Sequence, residues 1–434
     1  MRRKPKLLGQ TKIGIHLPTM KMADDEPGSV RESALSRWIV MAVLGLSGAV
    51  IYLLPFLREI YYDPLREALN LSHSQSGALM ATFGFASMLA YIPGGWIADR
   101  ISSRILISGS LISTGLLGFA FATFPSYSVA IAIHALWGVT VTGMMWGALI
   151  KATRDWAPGS EQGKAFGMLE AGRGVSEAAC YSIFLAVFAN LGGDTRAFGQ
   201  IIIQYSILHV ALGVAAFLVI KPGVAAPAGD APNSATFLRV LKMPQIWLIA
   251  IVILSVYSAY WGAYYFTPYA SDVFLMSAVA AGAIGAGKVW LKPLAAAVAG
   301  FAADRIGVSR AVEIGLVILT ASFIGFVAMP GGQAMIALMA ANIALASLAI
   351  FALRGIYFAL LEECGVPTLV TGTATGVISV IAFTPDVFMP LVGGALLDAY
   401  PGETGYRYYF GFITALCVCG GVAMAALRRR GRAD

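Results

Sequence analysis

The chain has 434 residues, of which 58% are hydrophobic and only 12% are charged, and its formal net charge is +7. A water-soluble domain carries about 25% charged residues, so this composition excludes an ordinary soluble enzyme and indicates an integral membrane protein. The four cysteines form no Cys-x-x-Cys or zinc-ligand spacing. We therefore interpret them as packing residues and predict neither a metal nor a cofactor.

Twelve apolar runs are long enough to cross a bilayer, which requires about 20 residues for a helix. In chain order they cover residues 37–57, 75–97, 104–124, 128–150, 165–190, 198–220, 245–269, 277–302, 309–329, 332–360, 372–395 and 407–427. The runs are continuous rather than alternating, which favours helices over the strands of a membrane β-barrel. The sequence therefore predicts an all-α membrane protein with twelve transmembrane helices.

The polar segments between the runs divide the chain into five predicted parts. A disordered tail over residues 1–36, without a signal peptide, precedes a six-helix bundle over 37–220. A linker over 221–243 leads to a second six-helix bundle over 244–427 and a basic tail over 428–434. We find no second, soluble domain in the longest polar segment.

Lysine and arginine are concentrated in alternate connecting segments. The segments on the side of the termini hold most of them, whereas the opposite segments hold only Arg58, Arg66, Arg196 and Arg407. Basic residues accumulate on the cytoplasmic side of membrane proteins. We therefore predict a multi-pass protein of the bacterial inner membrane with both termini in the cytoplasm, and the basic charge requires no nucleic-acid partner.

One short phrase occurs twice, half a chain apart. Residues 95–101 read Gly-Trp-Ile-Ala-Asp-Arg-Ile and residues 300–306 read Gly-Phe-Ala-Ala-Asp-Arg-Ile, each time after an apolar run. Further matches pair residues 52–55 with 265–268, Gly77 with Gly282, and 163–167 with 372–376. Internal duplication is typical of secondary transporters, so we predict two pseudo-symmetric six-helix bundles.

These features resemble the major facilitator superfamily over nearly the whole chain beyond the N-terminal tail. The resemblance rests on the twelve spans, the central loop and the Gly-x-x-x-Asp-Arg phrase between spans two and three. It implies secondary active transport by alternating access. It also implies that Asp99 joins the two halves at the cytoplasmic side, near the start of span eleven, in the outward-open state. The implied gating motif consists of Gly95, Asp99, Arg100 and Arg104 with Gly300, Asp304 and Arg305 of the second copy.

Two departures from the superfamily's patterns narrow the expected subfamily. His134 of the phrase His-Ala-Leu-Trp-Gly stands where arginine is frequent in span four. Span five lacks the Gly-Pro phrase of drug:proton antiporters. The resemblance therefore favours carriers of organic anions or other solutes over drug exporters.

Charged residues well inside the predicted spans are the strongest candidates for a transport site, because each costs several kcal/mol unless it pairs or meets water. They are the basic Arg173, Lys288, Lys292 and Arg354 and the acidic Glu170, Glu177 and Asp386. Four basic residues against three acidic residues leave one positive charge in excess. We therefore predict that Arg173, Lys288 and Lys292 bind an anionic substrate.

The spacing of these residues leaves alternatives open. Glu170, Arg173 and Glu177 share one helix face and could form an ion cluster that satisfies itself. Lys288 and Lys292 also share a face, where their repulsion requires an anion, a carboxylate partner or the loss of a proton. Of these we prefer the anion, although lysine side chains can also extend toward a watery end of the helix.

Carboxylates in a dry cavity are candidates for proton coupling. Glu170, Glu177 and Asp386 are the candidates here, and Asp386 follows Pro385 at a predicted helix break. Asp386 could take up a proton, pair with Lys288 or form an ion pair without a role in transport. His134 is either a further proton carrier or a packed, hydrogen-bonded histidine.

Two further features concern the cavity wall and its gate. Arg354 lies near the cytoplasmic end of span ten with Glu362 and Glu363 beyond it, which predicts a gate or a structural salt bridge. Span seven carries aromatic residues at helical spacing, and we predict that Trp261, Tyr264 and Tyr265 line the substrate cavity.

The sequence thus predicts a secondary active transporter, a symporter or an antiporter, of a small organic anion coupled to protons or to anion exchange. We expect it to function as a monomer in the bilayer. No Walker, His-Glu-x-x-His or Ser-His-Asp pattern indicates an enzyme. A transporter of a neutral, sugar-like or drug-like solute is one alternative. A membrane sensor that binds solute without transporting it is the alternative from another class.

Overall fold

The computed structural model describes residues 34–157, 161–221, 234–367 and 371–430. Most of the predicted N-terminal tail, and parts of the linker and of the basic C-terminal tail, lie outside these residues. Helix α9 occupies residues 234–241 of the predicted linker. The proposed boundaries of the five parts remain predictions.

The described residues of the N-terminal half form eight helices. These are α1 (Ala34–Val50), α2 (Tyr62–Leu69), α3 (His73–Arg100), α4 (Ser103–Phe121), α5 (Tyr127–Gly138), α6 (Gly147–Trp156), α7 (Gln162–Asn190) and α8 (Thr195–Val219). A π-helical stretch, Val139–Trp146, joins α5 to α6 in one continuous span.

The described residues of the C-terminal half form eleven helices. These are α9 (Ser234–Leu241), α10 (Pro244–Ala263), α11 (Phe266–Asp272), α12 (Ala278–Val289), α13 (Leu291–Ile306), α14 (Val308–Ala328), α15 (Ile336–Ile356), α16 (Leu360–Glu363), α17 (Thr371–Ala382), α18 (Pro385–Ala399) and α19 (Glu403–Arg430). Several short helices follow one another along a single crossing segment. When each such group is counted as one segment, the described helices of the two halves account for the twelve predicted crossing segments.

Eight helical segments of the described residues are both long and apolar enough to cross a bilayer. Helix α3 bends by 53° between its parts His73–Tyr91 and Pro93–Arg100, and it is the ninth such segment if the two parts count as one span. Helix α1 contributes a shorter apolar stretch, Arg37–Val50. The two remaining crossings are α7 and the interrupted pair α12–α13. These two carry Glu170, Arg173, Glu177, Lys288 and Lys292, and their charge lowers the hydropathy that marks the other spans.

The first span of each half is broken near its end. Helix α1 ends at Val50 and the chain continues as turns through Pro55, while α10 ends at Ala263 and α11 restarts at Phe266, before Pro268. Proline has no amide hydrogen to continue a helical ladder, so both prolines favour a break. These breaks coincide with the sequence repeat of residues 52–55 and 265–268.

The halves are joined near one end of the bundle. We call the end where α1 begins and α19 ends the terminal face, and the opposite end the far face. Toward the far face α3 packs against α18 and α7 against α12. Gly77 and Gly84 of α3 make the closest approach, because a Cβ on either would overlap the backbone carbonyl of Pro390 or Asp386. Small residues allow this contact between the halves.

The halves are apart at the terminal face. Gly95, Gly167, Gly300 and Gly376 lie near the terminal ends of α3, α7, α13 and α17. Apart from neighbouring residues of the same helix, no described residue has an atom within 4 Å of the position that a Cβ would occupy at any of them. The bundle is therefore closed at the far face and open at the terminal face.

Candidate functional site

A group of charged and aromatic side chains from both halves lies between the two bundles. Helix α10 contributes Tyr257, Tyr260 and Trp261, and other spans contribute one or more charges. We call this group the central cluster, and its charged members are Glu170, Arg173 and Glu177 of α7, Lys292 of α13, Arg354 of α15 and Asp386 of α18.

Arg173 is held by its own half. Its Nη1 lies 2.5 Å from Oε1 of Glu170, and its Nε donates a hydrogen bond of 3.2 Å to the carbonyl of Gly48. The guanidinium also lies 5.3 Å from the ring of Trp146, the last residue of the π-helical stretch. Such turns are rare and often occur at functional sites. Glu170 is 62% exposed but Arg173 only 18%, so the arginine is the anchored member of the pair.

Lys292 forms an ion pair between the two halves. Its Nζ lies 2.6 Å from Oε2 of Glu177, and the two side chains are 23% and 19% exposed. The ammonium also lies 5.4 Å from the ring of Phe351. The pair is thus partly hydrated, and its partners separate if the halves move apart.

Asp386 is held by aromatic donors rather than by a basic residue. Its Oδ1 accepts hydrogen bonds from the hydroxyl of Tyr257 at 2.8 Å and from Nε1 of Trp261 at 2.7 Å. The residue lies in the first turn of α18, directly after Pro385. The ion pair with Lys288 that we considered is not formed, because Lys288 has another partner.

Arg354 is the cation of the central cluster without an acidic partner. Its guanidinium carbon lies 3.8 Å from the ring centroid of Tyr260 and 5.6 Å from that of Tyr257. No carboxylate of the described residues lies within 4 Å of it. Glu363, considered above as a salt-bridge partner, instead accepts a hydrogen bond of 2.9 Å from the Ser309 amide.

The aromatic residues at the end of α10 and directly after it divide into two sets. Trp261, Tyr264 and Tyr265 are 2%, 4% and 0% exposed, whereas Tyr257 and Tyr260 are partly exposed. Tyr260 was not among the predicted lining residues, although it lies against Arg354 and accepts a hydrogen bond of 2.7 Å from Tyr264. Its spacing from Tyr257 and Tyr264 along one helix face was the signal available for it.

A second ion pair lies closer to the far face. Nζ of Lys288 is 3.1 Å from Oε1 of Glu59, and the two side chains are 3% and 5% exposed. Tyr181 donates a hydrogen bond of 3.0 Å to the same carboxylate, and Thr267 donates one of 2.6 Å to the Glu59 carbonyl. We call these four residues the far-face seal. A carboxylate therefore lies beside each of Lys288 and Lys292, which matches the alternative of a carboxylate partner.

Arg58 adjoins the far-face seal and is buried, although its sequence position indicated a connecting segment. It is 1% exposed and lies between the rings of Tyr62, at 5.1 Å, and Tyr265, at 4.7 Å. Its three guanidinium nitrogens have no hydrogen-bond partner among the described residues. Cation–π contacts offset part of the desolvation cost, by about 2 kcal/mol each when desolvated. Its position after the Pro55 break was the only sequence signal.

Asp398 links the halves at the far face. Its two carboxylate oxygens accept hydrogen bonds from the amides of His73, at 2.9 Å, and Ser74, at 2.8 Å. These amides begin α3, whose N-terminus carries partial positive charge. We call this contact the far-face latch. Asp398 belongs to α18, so the latch connects spans two and eleven.

The repeated gating motif adopts one arrangement in both copies. The guanidinium of Arg100 lies 4.1 Å from the ring of Trp96, and that of Arg305 lies 4.1 Å from the ring of Phe301. Arg104 instead stacks on Phe217 of α8 at 3.9 Å. Both motif aspartates are exposed at the terminal face, and neither forms an ion pair with a described residue. The latch predicted for Asp99 is therefore not engaged while this face is open.

His134 lies outside the central cluster. Its Nδ1 donates a hydrogen bond of 2.8 Å to the carbonyl of Ala130, and its ring packs against Phe121 and Trp137. The residue is 3% exposed. Its surroundings match the packed, hydrogen-bonded alternative.

A pH dependence is expected at the far face. Burial is the largest cause that raises the pKa of Asp63 from 3.8 to about 6, and Asp272 across the halves adds to it, while Ser271 and Arg66 oppose it. If closure of the far face raises the pKa of Asp63, this residue binds its proton more tightly in the closed form than in the open form. We therefore expect far-face closure to be favoured at low pH and weakened as the pH rises through about 6.

Spin labels at exposed far-face positions of the two halves, Asn70 and Leu275, measure this closure. Asp63→Asn removes the titrating group, so the distance distribution between the labels should lose its dependence on pH. Glu67→Gln is the matched control, because Glu67 is exposed in the same helix. An unchanged pH dependence in Asp63→Asn would assign the effect to another group.

Comparison with known proteins gives the family. Residues 33–384 match the family model described as Major Facilitator Superfamily. The chain is 30% identical over 404 residues to the inner membrane protein YihN of Escherichia coli, covering 91% of this chain and 96% of YihN. It is also 30% identical over 393 residues to YqcE of the same organism, covering 87% and 91% of the two chains.

A solved structure has the same fold. A bacterial homologue of the human lysosomal transporter Spinster, described as inward-facing and unoccupied, matches with a TM-score of 0.73. The match has 15% identity and covers 92% of this chain and 98% of that one.

Shorter matches connect the chain to two proteins named as carriers. The probable galactarate/D-glucarate transporter GudP of Bacillus subtilis is 24% identical over 190 residues, which cover 42% of this chain and 39% of GudP. The probable anion transporter 7 of Oryza sativa is 20% identical over 167 residues, which cover 38% of each chain. The family match spans most of the chain, and the predicted helical fold is confirmed. The chain therefore belongs to the major facilitator superfamily and is a secondary transporter rather than an enzyme.

Proposed function

We propose that this transporter moves a small organic anion coupled to protons, and that Arg354 binds the anionic group. The observation that carries the proposal is the charge pairing of the central cluster. Glu170 and Glu177 each lie within ion-pair distance of one cation, whereas Asp386 is bound by Tyr257 and Trp261. Arg354 is left without a carboxylate within 4 Å among the described residues, and an anionic substrate would supply it.

The geometry of Arg354 suits a carboxylate. Its guanidinium lies over the face of Tyr260, so the ring occupies one face of the planar group. The N–H donors lie in the guanidinium plane, where they match the two oxygens of a carboxylate or phosphate. Tyr257 and Tyr260 add hydroxyl groups and apolar ring surface beside it, which suits a polar organic solute.

The pair of Lys292 and Glu177 supplies a route for coupling. Protonation of Glu177 would neutralise the carboxylate that lies 2.6 Å from the ammonium. Lys292 would then carry an unopposed charge toward the cavity and could join Arg354 in binding the anion. Proton and anion would therefore favour each other's binding, which is the thermodynamic requirement for symport.

Arg58 gives additional support from the far face. It is a buried cation without a hydrogen-bond partner among the described residues, and it lies between Tyr62 of one half and Tyr265 of the other. Separation of the halves at the far face would expose this cation to the entering solute. The names of the partial matches, an anion transporter and a galactarate/D-glucarate transporter, agree with an anionic substrate.

The test is a thermal-shift and uptake screen of the purified protein with hydroxycarboxylates, sugar phosphates and neutral sugars. We expect stabilisation by members of one anion class and loss of that stabilisation in Arg354→Gln. Removing one partner of a desolvated charge pair costs about 2–5 kcal/mol, or roughly thirtyfold and more in affinity. Arg407→Gln is the matched control, because Arg407 is 45% exposed and pairs with Glu403 within α19.

Two outcomes would overturn the anion proposal. The first is stabilisation by neutral sugars alone, which would favour the neutral-solute alternative. The second is unchanged anion affinity in Arg354→Gln when the variant is folded and inserted. Ligand-dependent stabilisation without uptake in proteoliposomes would contradict transport of that compound.

A further inference from the structure

A groove separate from the central cluster lies at the terminal face, where α14 and α19 pack together. It has a volume of about 430 Å³, and its lining residues are Arg310, Glu313, Ile314, Val317, Ile318 and Arg428. The polar members lie near the beginning of α14 and the end of α19. The apolar members lie one to two turns further along α14, away from the terminal face.

The polar end of the groove is basic. Arg428 and Glu313 form an ion pair that crosses from α19 to α14 and holds the arginine in place. Arg310 has no carboxylate of the described residues within 4 Å. Two arginines against one glutamate leave one net positive charge, and Arg429 and Arg430 follow directly in the sequence.

The apolar end of the groove faces outward. Ile314, Val317 and Ile318 are 51%, 65% and 37% exposed, and their spacing places them on one stripe of α14. Helix α14 is among the segments long and apolar enough to cross a bilayer. On such a helix an exposed apolar stripe meets lipid chains rather than water.

We propose that this groove binds an anionic phospholipid of the leaflet at the terminal face. Its phosphate would contact Arg310 and Arg428, and one acyl chain would follow Ile314, Val317 and Ile318. Basic pockets between membrane helices suit anionic headgroups. A free phosphate ion would leave the apolar stripe unused, and a second copy of the chain that packed through the same groove would bring a second excess of positive charge to it. A lipid satisfies both ends of the groove at once.

The test uses the purified full-length protein in detergent, with phosphatidylglycerol, phosphatidylcholine or inorganic phosphate added separately. Native mass spectrometry measures bound lipid, and thermal unfolding measures stabilisation. We expect phosphatidylglycerol to be retained and to raise the Tm more than phosphatidylcholine, with no effect of inorganic phosphate. Removing either of the groove arginines, Arg310 or Arg428, should lower lipid retention about fivefold.

Arg310→Gln is the main variant, because it leaves the pair of Arg428 and Glu313 intact. Arg429→Gln is the charge-matched control, since this exposed residue lies outside the groove. Equal retention of phosphatidylglycerol by Arg310→Gln and Arg429→Gln would overturn the proposal. Equal stabilisation by phosphatidylcholine, a response to inorganic phosphate alone, or a dimer that Arg310→Gln dissociates would overturn it as well.

Discussion

We expect Glu177→Gln to abolish accumulation driven by a pH gradient while exchange of labelled for unlabelled solute continues. Glutamine has the shape of a protonated glutamate but cannot lose its proton, so Lys292 would be permanently free of its counter-charge. The variant would therefore bind anion without requiring a proton. Proteoliposomes loaded with unlabelled solute measure exchange, and empty ones with an imposed gradient measure accumulation.

Glu170→Gln is the matched control for this prediction. Glu170 lies two turns away on the same helix, is 62% exposed and pairs within α7 rather than between the halves. Water screens such a pair, so its loss should cost less than about 1 kcal/mol and leave accumulation intact. Normal accumulation in Glu177→Gln would exclude Glu177 as the coupling acid. Asp386→Asn would then be the next variant, because Asp386 is the remaining acid of the central cluster.

We expect Asp398→Asn to shift the conformational equilibrium toward opening of the far face. Aspartate accepts the amides of His73 and Ser74 with its two oxygens, whereas asparagine has a single oxygen acceptor. The variant loses one charge-assisted hydrogen bond and the attraction of a negative charge to the start of α3. Because the site is exposed, we expect a change of about 1.4 kcal/mol, or about tenfold in the population ratio.

Asp99→Asn should change the same equilibrium in the opposite direction. By resemblance to the superfamily, Asp99 joins the halves when the terminal face is closed, so its loss should favour the conformation that is open there. Distances between spin labels at Asn70 and Leu275 measure the far face for both variants. Equal shifts of one sign would contradict the assignment of the two aspartates to opposite faces. If the label distances in Asp398→Asn are unchanged, Asp398 only caps the start of α3 and does not control opening of the far face.

The sequence by itself determined the architecture and the transporter class. A long apolar run has few alternatives to a membrane helix, because every backbone polar group must be satisfied inside the bilayer. The repeated phrase at Gly95 and Gly300 indicated the duplication. In both copies the arginine of the phrase stacks on an aromatic ring. Intramembrane charges also identified most of the central cluster, since such residues are rarely kept without a partner or a role.

Only the tertiary structure decided which charges meet. Lys288 and Lys292 are four residues apart, which predicts one shared helix face, yet they lie in the separate helices α12 and α13. Lys288 pairs with Glu59 near the far face and Lys292 with Glu177 beside the cavity. Electrostatic pairing depends on distances between helices that are remote in sequence, and helical spacing does not specify these distances. For the same reason Arg58 was assigned to a connecting segment, whereas the structure buries it between Tyr62 of one half and Tyr265 of the other. Long-range packing likewise separated the partly exposed Tyr260 from the buried Tyr265, although both fit the same aromatic pattern along the chain.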